Sequence, residues 1–133
     1  MGYSPNLWGS EGWYFIHFVA LNYPVNPTEQ DKKNYMQFLE SLQHTLPCEG
    51  CSYNFGMEMQ SHPPNLNSRK EFFNWTVDMH NAVNKRNKKK ELSYDEAMKQ
   101  ISKRKETERL KDSFILTSGI ATAFFFLFRI FKK

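Results

Sequence analysis

Cys48 and Cys51 are the two thiols of this 133-residue chain. They stand in a Pro-Cys-x-x-Cys run, "LPCEGC", where Pro47 ends one helical pattern and delivers Cys48 to the start of the next. A cysteine at a helix N-terminus is a better thiolate, because the macrodipole lowers its pKa. Cys51 follows one turn later on the same side, a spacing at which two sulfurs can bond or stay free. Three chemistries fit: a redox disulfide, half of a zinc site, or two inert thiols. A structural zinc site needs four N/S ligands. His62 and His80 lie eighteen residues apart and make no His-x₃₋₅-His pair, so no metal is expected.

A second group of residues bears on the choice. Trp13 and His17 are four apart and share a helix face, as do His80 and Asn84, with Asn81 beside them. Singly, each has an ordinary explanation: a core tryptophan, a satisfied histidine, an asparagine near a helix end. Together they offer aromatic planes and hydrogen-bonding edges on inward stripes, which is what a flat, polar-edged cofactor requires. No Gly-x-Gly-x-x-Gly is present, which excludes a Rossmann-type site.

The elements that must position these residues are helices, since no segment alternates at period two. The fold class is all-α. A first helix runs over about 7–22, with one stripe of Trp13, Ile16, His17 and Ala20 and another of Tyr14, Phe18 and Leu21. A second begins after Thr28 as N-cap and carries Tyr35, Phe38, Leu39, Leu42 and Leu46. A third covers about 48–60. Ser68 and Glu71 make a capping box for a fourth, whose stripes are Phe72, Trp75, Met79, Val83 and Phe73, Val77, His80, Asn84. Ser93 and Glu96 repeat the box for a short fifth.

Charge and hydropathy divide the chain. Residues 1–84 carry four Lys/Arg against eight Asp/Glu, and residues 85–111 carry eleven against five. The run Phe114–Phe128 is uncharged, and only Arg129 interrupts it before Phe131. At about 1.5 Å per residue, 114–131 spans roughly 27 Å, enough for a thin bilayer core. The alternative is a buried C-terminal core helix. The Phe content and the charged stalk before the run favour a transmembrane tail anchor, with Arg129, Lys132 and Lys133 reaching the headgroups. The expected organisation is a folded domain at 1–101, a basic, solvated helical stalk at 102–113 and the anchor at 114–131. The chain opens without the basic and apolar regions of a signal peptide, and Asn6 argues against myristoylation of Gly2. The domain is therefore expected to face the cytoplasm, on the side where basic flanks stay. The stalk is expected to meet anionic lipid, and no nucleic-acid partner is expected.

In order and spacing, "WGSEGWYFIH", "YP", "LPCEGCSYNF" and "SRKEFFNWTVDMHNAVNK" resemble the ERV/ALR FAD-linked sulfhydryl oxidases from about Trp8 to Ala97. The "LSYDEA" ending and short length are most similar to the forms of large cytoplasmic DNA viruses. The resemblance implies four helices plus a short fifth holding FAD, with Gly9, Trp13, His17, His80, Asn81 and Asn84 at the cofactor. Lys89 falls where the family has a basic residue near the phosphates, with Lys88 as the alternative. It implies a catalytic pair in which Cys48 takes the attack of a protein dithiol and Cys51 passes electrons to FAD. Molecular oxygen then yields hydrogen peroxide. A homodimer through the first two helices is also implied. Ser10 and Leu46 depart from the family's usual Arg and Tyr, and a second structural disulfide and a shuttle Cys-x-x-Cys are both missing. A chain without a shuttle needs a direct substrate, expected to be a small Cys-x-x-Cys or thioredoxin-like protein. The alternatives are a flavin-free thiol–disulfide exchange protein and a tail-anchored scaffold.

Overall fold

The computed structural model describes the backbone over residues 2–131 and the side chains over residues 2–115. All regular structure in the described residues is helical: α1 (Pro5–Leu21), α2 (Glu29–Thr45), α3 (Glu49–Ser61), α4 (Arg69–Arg86) and α5 (Tyr94–Phe131). Two compact units result, Met1–Tyr94 and Asp95–Lys133.

Local chemistry sets the boundaries. α1 starts two residues before its sequence estimate, because Ser4 caps it and Pro5 suits the first helical position. Thr28 and Asp31 cap α2 reciprocally: the Thr28 hydroxyl accepts the Asp31 N–H at 3.1 Å, and the Asp31 carboxylate accepts the Thr28 N–H at 2.8 Å. Pro47 forces Leu46 out of helical backbone, to φ −58° and ψ 136°, and α2 stops there. Ser68 and Glu71 make the expected capping box of α4.

α5 differs from its expected form. The short fifth helix and the expected helical stalk are not separate elements: one helix runs for 38 residues. No Gly or Pro stands between Tyr94 and Ser118, and the stretch is rich in Lys, Arg and Glu, all good helix formers. The predicted transmembrane run, Phe114–Phe131, lies outside the described side chains from residue 116 onward. Among the described residues, no helix is long and apolar enough to cross a membrane.

In the first unit α1 packs on α4, α2 on α3, and α3 also touches α4. The centre is aromatic. Tyr23, Tyr35 and Phe72 meet edge to face with centroids 4.6, 5.3 and 5.8 Å apart, and Trp75 lies 6.1 Å from Phe72. Such pairs add about 0.5–1.5 kcal/mol each beyond area burial. The Tyr23 hydroxyl donates to the Leu66 carbonyl at 2.9 Å, and the Trp75 indole donates to the His62 carbonyl at 2.8 Å. These two bonds fasten the loop before α4 to the core. Both stripes of α4 point inward: Phe72, Phe73, Trp75, Val77 and Met79 are all buried. The second stripe of α1 does not: Phe18 is exposed, as is neighbouring Phe15.

Candidate functional site

Cys48 and Cys51 form a disulfide, with Cα atoms 5.1 Å apart. Cys48 is the N-cap of α3 and its sulfur accepts the Cys51 backbone N–H at 3.2 Å. The predicted helix start is therefore one residue early, because the sulfur does what a serine or aspartate oxygen does at a cap. When the pair is reduced, the same N–H and the helix dipole stabilise a Cys48 thiolate. Both cysteines are half-buried.

Beside Cys48 is a cavity of about 300 Å³ lined by Gly2, Tyr3, Ser4, Pro5, Cys48 and Glu49. The N-terminal segment forms its wall. The Tyr3 N–H donates to the Pro47 carbonyl at 2.7 Å, and the Tyr3 carbonyl accepts from the Trp8 indole at 3.3 Å. A Cβ on Gly2 would stand 2.8 Å from the Pro47 carbonyl oxygen, so only glycine allows this approach. No residue pattern signals this wall, because backbone pairing between distant loops leaves no periodicity.

The second cluster is built from two facing helices. Gly9, Trp13 and His17 recur every four residues on α1, and Thr76, His80 and Asn84 do so on α4. Trp13 stacks on His80, with centroids 4.5 Å apart and planes 7° from parallel. His17 Nε2 lies 3.2 Å from His80 Nδ1, and His17 Nδ1 lies 2.9 Å from Thr76 Oγ1. Burial pushes His17 down to about 4, helped by the His80 charge. Burial does the same to His80, helped by the positive charge of Lys89, and it also titrates at about 4. Both rings are thus neutral at pH 7. Asn84 is buried on the face it shares with His80. Thr76, fully buried, was not among the predicted site residues, since a lone threonine in an apolar stripe reads as a packing residue.

Asn81 holds a loop. Its side-chain carbonyl accepts the Leu92 N–H at 2.9 Å, and its amide donates to the Leu92 carbonyl at 2.8 Å. This bidentate clamp folds the 87–92 loop back on α4. Lys88 adopts φ 54°, the left-handed turn that ends α4, and the Lys89 N–H closes onto the Asn84 carbonyl at 2.8 Å. Of the two lysines considered for the phosphates, Lys89 is the one whose charge acts on His80. At Gly9 an added Cβ would meet only Pro5 Cβ, at 3.9 Å, so the protein's own packing does not demand glycine there.

Residues 10–105 match the model of the Erv1/Alr family. A "Probable FAD-linked sulfhydryl oxidase" of Acanthamoeba polyphaga mimivirus is 45% identical over 103 residues, covering 75% of this chain and 72% of that one. The mitochondrial FAD-linked sulfhydryl oxidase ERV1 of Saccharomyces cerevisiae is 37% identical over 81 residues, which cover 61% of this chain and 43% of the yeast protein. The chain thus spans less than half of that relative. The crystal structure of the yeast Erv1 core superposes with a TM-score of 0.68 at 32% identity, covering 71% of this chain and 80% of that one. The capped disulfide of α3 and the paired ladders of α1 and α4, Gly9 excepted, fall inside the matched region, and the chain belongs to the Erv1/Alr family.

Proposed function

We propose that this chain is an FAD-dependent thiol oxidase that makes disulfides in protein dithiols. The observation that carries the reading is the Cys48–Cys51 disulfide at the N-terminus of α3, on a helix packed against the one that bears His80. The residues present fit a flavin: an indole plane, two neutral imidazoles, a Gly9 not required by the protein's own packing, and the Lys89 charge. Gly9, Trp13, His17, His80, Asn84 and Lys89 would hold it, with Asn81 keeping the 87–92 loop in place.

A substrate thiolate in the cavity beside Cys48 attacks the Cys48 sulfur. The Cys48–Cys51 bond breaks, Cys51 leaves as thiolate and a mixed disulfide forms. The second substrate thiolate attacks the substrate sulfur of that bond. Cys48 leaves, stabilised by the Cys51 N–H and the helix dipole, and the substrate departs oxidised. When bound, FAD supplies the acceptor for the two electrons of the reduced pair and hands them to oxygen, giving hydrogen peroxide.

The reading extends to partners and place. A protein dithiol must reach Cys48 directly, which suits a small Cys-x-x-Cys or thioredoxin-like substrate. The apolar run at 114–131 is a transmembrane anchor behind the 102–113 stalk, and the 1–101 domain faces the cytoplasm. Protease added to intact membranes then digests the domain without detergent; full protection overturns the topology. The central test is optical and kinetic. Purified protein is yellow and consumes oxygen with a dithiol, and Cys48→Ser and Cys51→Ser each abolish turnover. Colourless, inactive protein favours the flavin-free exchange reading.

A further inference from the structure

The hydrogen bonds that join Thr76, His17 and His80 couple the proton positions of the two rings. The Thr76 hydroxyl donates to the Phe73 carbonyl at 2.7 Å. A hydroxyl has a single proton, so while that proton is given to Phe73 the same oxygen accepts from His17 Nδ1, 2.9 Å away. His17 Nδ1 therefore carries a hydrogen. A neutral imidazole has one N–H, which leaves His17 Nε2 a bare lone pair. That lone pair faces His80 Nδ1 at 3.2 Å and needs a donor, so His80 Nδ1 is protonated too. The remaining nitrogen of His80, Nε2, is left as an acceptor. Both rings stay neutral at pH 7, since burial lowers each to about 4, helped at His80 by the Lys89 charge.

We propose that Thr76 is a positioning residue which, through His17, fixes both imidazole tautomers, so that His80 offers Nε2 as a hydrogen-bond acceptor to the bound ligand. The relay thereby selects a donor group on that ligand, a hydroxyl, an amino group or a ring N–H, over a phosphate oxygen. The selection of a flavin group rests on the thiol-oxidase reading; the tautomers do not.

The test is ¹⁵N spectroscopy of the histidine rings in the full chain, with bound FAD and after its removal. Wild type is expected to show N–H character at Nδ1 and a bare nitrogen at Nε2 in both His17 and His80. Thr76→Val removes the acceptor for His17 Nδ1. It is expected to invert the His17 tautomer, disturb that of His80 and weaken FAD binding about tenfold, the scale of one lost buried hydrogen bond. Thr76→Ser, which keeps the hydroxyl, is expected to retain both tautomers and the affinity. A protonated Nε2 on either ring in wild type overturns the relay, as do Nδ1–H tautomers that persist in Thr76→Val. If Thr76→Val fails to fold, wild type and Thr76→Ser still decide through the same nitrogen shifts. Protein with the expected tautomers but no affinity for FAD upholds the relay and removes the flavin reading.

Discussion

At the scale of single residues, Gly9 separates ligand from packing. Its would-be Cβ has ordinary contact with Pro5 alone, at 3.9 Å. Alanine is the better helix former by about 1 kcal/mol. Gly9→Ala should therefore raise the melting temperature of the flavin-free chain and lower its affinity for FAD, two signs that thermal melts and flavin titration read separately. The histidines give a pH dependence. Each is lowered from 6.5 to about 4 in the folded chain, so the unfolded chain takes up protons first as pH falls. The stability tied to these groups is complete above about pH 6.5 and drains away as pH approaches 4. Urea melts at pH 7 and 4.5 should show that loss, and His80→Phe should reduce it. Cys48, Trp13, His17 and His80 were legible in the sequence because their types and spacings are rare together. Thr76 was not, because its importance lies in which ring it meets across two helices.

Among the elements, the end of α4 is the most telling. Lys88 holds φ 54°, a left-handed conformation that costs a side-chain-bearing residue about 1 kcal/mol relative to glycine. Lys88→Gly should stabilise the chain by roughly that amount in denaturant melts and leave FAD affinity unchanged. Lys89→Ala should do the reverse, weakening FAD in a salt-dependent manner with little effect on the flavin-free melt. Equal loss of affinity in both variants would return the phosphate role to Lys88. The caps at Thr28 and Ser68 were readable because each is a local pattern of four residues. The left-handed turn at Lys88 was not, since lysine carries no signal for it. The length of α5 was obscured by a change of composition, which the backbone ignores.

On the scale of the whole molecule, the uncovered face of α1 carries the prediction. Phe15 and Phe18 are 56% and 41% exposed, and Phe15 meets Phe38 of α2 edge to face at 6.0 Å. A shared α1–α2 surface in a homodimer would cover them. Phe18→Glu should then shift sedimentation toward the monomer while the histidine tautomers persist; unchanged sedimentation would send the interface elsewhere. The all-α class followed from periodicity, but the pairing of α1 with α4 could not, because a helix stripe does not name its partner. That pairing has a consequence for synthesis. His17 contacts Thr76 and His80 across sequence separations of 59 and 63. A nascent polypeptide emerging from the ribosome carries Trp13 and His17 into solution long before their partners are made. Cofactor capture must therefore wait for α4, and chains arrested before residue 84 should hold no flavin, while those extended past Leu92 should.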